Sequence, residues 1–176
     1  LVENTELTVS VAFGKRQGTS TINEFDDKSL EKAVRRAEDV ARLAPENPEF
    51  MPAVGKQQFR PSNTFARDTA AIDPEFRAEV AAHSIVAGRK NKLVTAGFFV
   101  DTTGFETIAN SNGVFGHQEF TNLNFTCTAR TEDGRGSGWV TRGANDVKRF
   151  DARQASEVAI EKALRSVDAK ALEPGR

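Results

Sequence analysis

The stretch FTNLNFTCTARTEDGRGSGWVTRGANDV, residues 120–147, decides the fold class because two strand patterns flank a glycine-rich turn in it. In its first half, apolar side chains alternate with Asn and Thr, the pattern of a strand with one buried face. The apolar phase is Leu123, Phe125, Cys127 and Ala129, and the polar phase is Asn122, Asn124, Thr126 and Thr128. Asp133-Gly134 is a strong hairpin signal, because glycine readily adopts the positive φ of a tight turn. The stretch therefore predicts two antiparallel strands, residues 120–131 and 138–147.

The three glycines of this turn, Gly134, Gly136 and Gly138, are also the feature that could indicate a phosphate-binding loop. A Walker loop needs Lys-Ser/Thr directly after its last glycine, whereas Trp139 follows Gly138. A dinucleotide fingerprint needs a helix after the glycines, and the residues that follow here have a strand pattern. Both nucleotide-binding alternatives fail, so we interpret the stretch as a hairpin bend in which Gly136 and Gly138 leave room for a close approach.

Two further strand patterns precede this hairpin, at residues 92–101 and 105–110, with a turn predicted at residues 102–104. Ser111-Asn112-Gly113 is a turn signal of the Asn-Gly type and leads to the next strand. Strands joined by short turns are antiparallel neighbours, so the four predicted strands form a meander. Alternating strand–helix–strand units are absent. The order of elements predicts an α+β fold, an antiparallel meander sheet covered on one face by helices.

An N-terminal β-hairpin and three helices complete the predicted fold. Residues 7–13 alternate strictly between apolar and polar, and residues 18–25 provide the second strand of the hairpin. Asp26 and Asp27 can cap a first helix. Its apolar stripe is Leu30, Ala33, Val34, Ala37, Val40 and Ala41. Asp73-Pro74-Glu75 begins a second helix that runs to about residue 89, and Asp151 with Gln154 begins a third. One side of the second helix carries Phe76, Val80, His83 and Val86.

A proline-rich loop, residues 44–68, separates the first two helices. Loops of this length are uncommon in compact domains unless they are functional or disordered. Four of its residues are apolar: Phe50, Met51, Phe59 and Phe65. We therefore expect the loop to pack down as a covering segment without chemistry of its own, within a single α+β domain that spans residues 1–176.

The composition excludes several function classes. With 24 Lys+Arg against 25 Asp+Glu and a net charge of −1, the 176-residue chain lacks the basic excess typical of nucleic-acid-binding proteins. No apolar run approaches the ~20 residues of a membrane-spanning helix. Cys127 is the single cysteine, which excludes an intrachain disulfide and fits a reducing compartment. We therefore expect a cytoplasmic protein without nucleic acid or membrane partners.

The sequence contains no complete catalytic or metal site. His117 and Glu119 form a single His-x-Glu pair, whereas a zinc site needs about three protein ligands. His83 falls on a predicted helix face, and Cys127 lies on the apolar phase of its strand, where cysteines are inert. Trp139 could anchor a ligand, but we expect it to pack in the core. We predict no catalytic residue, no metal ligand and no cofactor in this chain.

Three segments together resemble the TldD/PmbA family, whose members are described as modulators of DNA gyrase and as metallopeptidases. The segments are ARLAPENPEFMP (41–52), ETIANSNGVFG (106–116) and ARTEDGRGSGWV (129–140), and the tail ALEPGR resembles the passage between the two halves of such proteins. The resemblance implies a zinc-dependent peptidase of paired subunits that acts on unstructured peptides. The family's HExxxH metal motif belongs to the C-terminal half and has no match here, so no catalytic residue is carried over.

On this resemblance, we expect the chain to be an N-terminal domain cut from a longer protein, inactive alone. Leu1 in place of an initiating Met fits that expectation. The implied partners are the C-terminal metallopeptidase domain of the same polypeptide, a second subunit (the same chain or a family paralogue) and an unfolded peptide substrate. The alternative is a protein-interaction module of the gyrase-modulator type, without peptidase activity.

Four asparagines are the candidate site residues: Asn110, Asn112, Asn122 and Asn124. A peptidase of unfolded chains needs a polar groove that holds extended backbone, and sheet edges can bind such chains by strand addition. The density of Asn and Thr on one strand face is unusual, because a solvated face typically carries Lys and Glu. We hypothesise that these asparagines help to enclose the substrate or form the subunit interface. The alternative is that they only build turns and cross-strand hydrogen bonds.

Overall fold

The structure, a computed structural model, describes residues 2–171, 173 and 175. The chain divides into two compact units, Leu1–Val54 and Gly55–Arg176. That the two units fold as one domain over residues 1–176 stays a prediction. The tail that resembles a passage between two halves falls partly on Leu172, Pro174 and Arg176, outside the described residues.

The first unit is a β-hairpin with one helix. Strands β1 (Leu7–Phe13) and β2 (Arg16–Ile22) pair antiparallel along their full length. Helix α1 (Asp27–Leu43) begins after Asp26, whose carboxylate accepts hydrogen bonds from two backbone N–H groups of the first turn, at 3.0 and 3.1 Å. The predicted N-terminal hairpin and the cap of the first helix are confirmed.

Helix α1 packs on the hairpin through small side chains. Its buried residues are Ala33, Ala37 and Ala41. Gly18 of β2 faces them so closely that an added Cβ would lie 2.2 Å from the carbonyl oxygen of Ala37. The predicted apolar stripe is too wide, because Val34 and Val40 are exposed. A helix that lies this close to a strand has room only for alanine between the two backbones.

The second unit is an antiparallel meander with helices on one face. Its elements in chain order are α2 (Arg67–Ala70), α3 (Pro74–Lys90), β3 (Leu93–Ala109), β4 (Phe115–Thr131), β5 (Ser137–Ala144), a 3₁₀ turn (Val147–Arg149) and α4 (Ala152–Arg165). The strand order is β3-β4-β5, and both neighbouring pairs are antiparallel. The predicted α+β class, with a helix-covered meander, is confirmed.

Strand β3 runs without interruption, so the turn predicted at residues 102–104 is wrong. The described meander has three strands rather than four, and residues 102–104 pair with β4 in the same regular register as the rest. Gly104 has a cross-strand role there, because an added Cβ would approach Cζ of the Phe120 ring to 2.8 Å. A strand glycine opposite an aromatic ring lets the ring pack over the backbone, and it does not turn the chain.

The glycine-rich stretch forms the bend between β4 and β5, as predicted. The N–H of Thr131 donates to the carbonyl of Gly136 at 3.0 Å, and Gly134 has a φ of 75°. The Asp133 carboxylate accepts hydrogen bonds from the Thr131 hydroxyl and the Arg135 guanidinium, both at 2.7 Å. These bonds, the Thr131 bond first, hold the pKa of Asp133 well below its usual range. The bend is therefore closed by its own side chains.

The core lies between the meander and helices α3 and α4. Gly138 lets α4 approach the sheet, because an added Cβ would lie 2.1 Å from the carbonyl oxygen of Ala159. Phe125, Cys127 and Ala129 of the predicted apolar phase of β4 are buried there, together with Val140 of β5, and Leu123 is buried outside this cluster. Four rings meet beside it at centroid distances of 5.4–5.9 Å, namely Phe76, Phe99, Phe125 and Phe150. Helix α3 contributes Val80, whereas Val86, predicted on the same side, is 64% exposed.

The proline-rich loop replaces a strand along part of β4. Between α1 and α2 the described residues form no helix or strand, although α2 takes the last two residues of the predicted loop. Where β5 no longer pairs, the carbonyl of Thr64 accepts from the N–H of Thr121 at 2.9 Å, and the Thr64 hydroxyl donates to the carbonyl of Glu119 at 2.8 Å. Met51 is 84% exposed, so the prediction that it packs down is wrong.

Candidate functional site

The face of the meander opposite the helices presents one column of side chains from each strand. Because side chains alternate between the two faces, the register assigns each residue to its column. The columns are Val94, Ala96, Phe98, Val100 and Thr102 from β3; Arg130, Thr128, Thr126, Asn124 and Asn122 from β4; and Ser137, Trp139, Thr141 and Gly143 from β5. We call this surface the open sheet face. Its one charged residue, Arg130, lies at an end.

The β3 column of the open sheet face is apolar and exposed. Val94, Phe98 and Val100 expose 60, 57 and 47% of their surface, and Trp139 across the sheet exposes 55%. The prediction that Trp139 belongs to the core is wrong, because its neighbour Val140 occupies the buried phase of β5. A contiguous patch of exposed aromatic and aliphatic side chains indicates an interaction surface.

The β4 column of the open sheet face is polar and contains two of the four predicted site residues. Asn122 is exposed and Asn124 is half-buried, as are Thr126 and Thr128. Amide groups donate and accept hydrogen bonds, and hydroxyl groups do the same. The column can therefore bind both the N–H and the C=O groups of an extended polypeptide.

The other two predicted residues, Asn110 and Asn112, lie at the turn between β3 and β4. The side-chain oxygen of Asn110 accepts hydrogen bonds from the N–H groups of Asn112 and Val114, both at 3.0 Å. Asn122 lies roughly 25 Å further along β4 at the usual rise of a strand. The structure thus separates the four asparagines into two locations, and Asn110 shapes the turn. A role of the four in substrate enclosure stays a prediction.

A groove of about 1220 Å³ lies beside this turn and was missed by sequence reasoning. One wall is the proline-rich loop at residues 59–65, and the other is the part of β3 and β4 beyond β5. Gln118 links the walls, because its amide donates to Glu106 at 3.0 Å and accepts from the Ser62 hydroxyl at 3.2 Å. Ser62 and Gln118 are 56 positions apart, so no local pattern indicates that they meet.

The two histidines do not form a metal centre in the part of the chain that the structure describes. His117 Nδ1 lies 2.8 Å from the Thr107 hydroxyl, and His83 is half-buried on α3. Among the described residues, no group of three or more His, Cys, Asp or Glu side chains could hold a metal ion. These residues do not fit the zinc that the family resemblance implies, and no zinc chemistry is assigned to them.

Cys127 has no accessible thiol. It is 1% exposed in the core, and burial raises the pKa of the thiol, opposed in part by a hydrogen bond with Ser84. A thiol with a raised pKa stays protonated and is a poor nucleophile. The residue packs the sheet against the helices.

In the described residues, none of the helices is long and apolar enough to span a bilayer.

The sequence matches a known family over most of the second unit. The sequence model of the PmbA/TldA metallopeptidase central domain matches residues 60–167, more than half of the chain. The chain belongs to the TldD/PmbA family. The matched range falls inside the unit Gly55–Arg176, so this unit corresponds to the central domain of a TldD/PmbA protein. The resemblance alone indicated an N-terminal domain, whereas the family model that matches residues 60–167 is that of the central domain.

Solved structures share this fold. A putative modulator of a DNA gyrase from Thermotoga maritima matches with a TM-score of 0.83 at 15% identity, over 98% of this chain and 40% of that one. A putative modulator of DNA gyrase from Bacteroides thetaiotaomicron matches with a TM-score of 0.80 at 19% identity, over 96% of this chain and 41% of that one. TldE from Thermococcus kodakarensis matches with a TM-score of 0.73 at 15% identity, over 90% of this chain and 42% of that one. The chain spans about 40% of the length of these proteins. No curated protein matches it.

Proposed function

We propose that this chain is a non-catalytic portion of a TldD/PmbA-type metallopeptidase that degrades or matures unstructured peptides. In that protein it provides scaffold, a dimer interface and part of the substrate enclosure. The observation that carries the proposal is the open sheet face, a nearly uncharged and partly exposed surface on a domain of a metallopeptidase family.

The chemistry of the open sheet face suits an extended peptide of varied sequence. Charged residues make up 28% of the chain. Yet on the open sheet face, none of the three strands carries a charged side chain from the level of Ala96 to the level of Asn122. The Asn and Thr side chains of β4 can bond to peptide backbone, which is the same in every sequence. Phe98 and Trp139 offer apolar contacts on either side of them. An enclosure with these properties holds a substrate without selecting one side chain.

Zinc belongs to the proposal for the full-length protein or its partner subunit, since the matched family is one of metallopeptidases. The C-terminal metallopeptidase domain of the same polypeptide supplies the ligands in this proposal. A second subunit, either another copy or a family paralogue, completes the chamber. We place the assembly in the cytoplasm, because the single cysteine is a free thiol and fits a reducing compartment.

The test compares the full-length polypeptide that carries this chain with the 176-residue chain alone. Both are assayed on an unfolded, internally quenched peptide, and both are analysed for bound zinc. We expect the full-length protein to cleave the peptide, and the chain alone to be inactive and without stoichiometric zinc. Cleavage by the isolated chain, or one zinc ion bound to it, contradicts the proposal.

The alternative function is a protein-interaction module that regulates DNA gyrase without peptidase activity. It is favoured by the two structural neighbours described as putative gyrase modulators. A supercoiling assay with purified gyrase separates the two functions. Under the alternative, the chain changes the supercoiling rate and the full-length protein leaves unfolded peptides intact. Under our proposal, the chain leaves the supercoiling rate unchanged and the full-length protein cleaves unfolded peptides.

A further inference from the structure

The open sheet face continues beyond Thr102 and Asn122 to a carboxylate. Side chains two residues apart on a strand lie on the same face, so Glu106 of β3 is on the same face as Thr102. Its register partner Gln118 is on the same face as Asn122. At the usual rise of a strand, Gln118 lies about 13 Å beyond Asn122. An extended peptide that follows the Asn and Thr side chains of β4 therefore needs about four more residues to reach the Glu106/Gln118 pair.

Two phenylalanine rings flank the Glu106/Gln118 pair. An added Cβ on Gly104 would lie 2.8 Å from Cζ of the Phe120 ring. An added Cβ on Gly116 would lie 2.9 Å from Cε2 of the Phe59 ring. Both glycines lie two positions along their strands from a member of the pair, so both rings cover the same face as the pair. The carboxylate therefore lies on a strip of sheet between two aromatic rings.

Hydrogen bonds hold the Glu106 carboxylate in place and leave it room for a further donor. Gln118 Nε2 donates to Glu106 Oε2 at 3.0 Å, and the Ser62 hydroxyl donates to Gln118 Oε1 at 3.2 Å. The bond from Ser62 fixes which end of the amide faces the carboxylate. A carboxylate has about four acceptor positions, so a second, bidentate donor can still bind.

The Glu106 carboxylate has no cation as partner among the described residues, since none of their ion pairs involves it. Arg60 also lines the groove, but no ion pair of the described residues joins it to Glu106. His117 and Glu119 line the groove from the opposite face of β4. Arg130, at the other end of the open sheet face, lies about 40 Å away along β4. A positive group that enters from outside therefore meets an uncompensated negative charge.

A carboxylate between aromatic rings is the chemistry that binds a basic side chain. Guanidinium and ammonium groups are attracted to ring faces and pair with carboxylates, and the planar guanidinium of Arg can do both. We propose that Glu106 and Gln118, with Phe59 and Phe120, form a subsite for one Arg or Lys side chain of the bound peptide. This subsite rests on the proposed function, which places the peptide on the open sheet face. The substrate class becomes an unstructured peptide with a basic residue, because the neutral part of the face selects no side chain and Glu106 selects a positive one.

Equilibrium binding of peptides to the full-length polypeptide tests the subsite. The probes are dye-labelled, N-acetylated and C-amidated neutral peptides of about twelve residues, which span about 40 Å, with a single Arg at a different position in each. Every probe has a partner with citrulline, which has the shape of arginine without its charge. EDTA prevents metal-dependent cleavage during the titration. At the best position, Arg should bind about three- to tenfold more tightly than citrulline, and the preference should decline at high salt.

Substitutions locate this preference at Glu106. Glu106→Gln removes the charge and keeps the size, so the ratio of the Arg and citrulline affinities should fall to about one. Glu106→Lys should reverse the preference, in favour of a peptide with Glu in place of Arg. Phe59→Leu removes one ring and should lower the ratio about twofold. Glu132→Gln is the matched control, because Glu132 is exposed in the bend between β4 and β5, and it should keep the unmodified ratio.

Two results overturn the proposal. One is equal affinity for the Arg and citrulline peptides at every position, and the other is an unchanged ratio in folded Glu106→Gln. Far-UV circular dichroism shows whether that variant is folded, and Glu106→Lys replaces it if it is not. Because Glu106 is exposed, we expect the fold to tolerate both changes.

Cleavage of the same peptides without EDTA tests the proposed function separately. Selective binding without cleavage would contradict the peptidase function and leave the subsite in place. Cleavage with equal binding of the Arg and citrulline peptides would contradict the subsite alone.

Discussion

Replacement of Gly138 by alanine tests how closely helix α4 lies against the sheet. The added Cβ would lie 2.1 Å from the carbonyl oxygen of Ala159, 2.5 Å from the nitrogen of Ala163 and 2.7 Å from Cβ of Lys162. Non-bonded heavy atoms are at their optimum separation near 3.5–4.0 Å, so α4 must withdraw by about 1 Å. The clashing atoms are mostly helix backbone, which cannot rotate away as a side chain would.

The expected cost follows from two opposing terms. Overpacking of a close-packed core costs about 1–3 kcal/mol, and alanine in place of a strand glycine returns about 0.4–1 kcal/mol where the backbone tolerates it. Because the clash is with backbone, we expect the overpacking term to be at its upper end. The net loss is then about 2–2.6 kcal/mol, or about 4–10 °C in Tm for a protein of this size.

Urea and thermal unfolding, followed by circular dichroism and by the fluorescence of Trp139, measure this loss. Gly143→Ala is the matched control in the same strand, since its added Cβ would have no neighbour closer than the Leu123 carbonyl oxygen at 3.7 Å. The control should be as stable as the unmodified chain or up to about 1 kcal/mol more stable. Equal stabilities of Gly138→Ala and Gly143→Ala would refute the close-contact reasoning.

Three further stability predictions concern single residues. Gly18→Ala should cost about 1–3 kcal/mol in unfolding free energy, because helix backbone atoms lie 2.2 and 2.3 Å from the added Cβ, whereas Gly55→Ala, in open space, should be neutral. Asp151→Ala should cost about 1 kcal/mol and Asp151→Ser little, because only the serine can still cap α4; equal losses would contradict this. Asp133→Asn should be less stable than the unmodified chain near neutral pH. The pKa of Asp133 is lowered in the folded state, so its carboxylate contributes to folding stability above the unfolded pKa of about 3.9. This contribution is lost as the pH falls through the folded pKa. A stability difference between the two chains that does not change with acid would contradict the prediction.

Local chemistry made the helix starts and the hairpin bend predictable from sequence. Asp26, Asp73 and Asp151 each cap a helix through N–H groups two or three residues away, so the signal and the structure lie in the same short window. The same holds for Asp133-Gly134, whose turn closes within a few residues. Such features do not depend on how the chain folds elsewhere.

Long-range packing accounts for the errors. Gly104 resembles a turn glycine until Phe120 is placed opposite it, and that pairing depends on the register of two 17-residue strands. The exposed β3 column had one usable signal, since Phe98 and Phe99 are adjacent and must therefore lie on opposite faces. A strand that is apolar on both faces is typical of a strand that is covered on both sides.

The central claim, that the open sheet face encloses the substrate, is tested most directly by a charge at the centre of that face. The measurement is the rate at which the full-length protein then cleaves a peptide. Asn124→Lys introduces that charge, and Asn23→Lys, exposed in the first unit, is the control. If the face encloses the substrate, kcat/KM for an unfolded peptide should fall at least about tenfold, about 1.4 kcal/mol of transition-state stabilisation, in Asn124→Lys only. If kcat/KM of Asn124→Lys equals that of Asn23→Lys, the open sheet face does not enclose the substrate and the account is wrong.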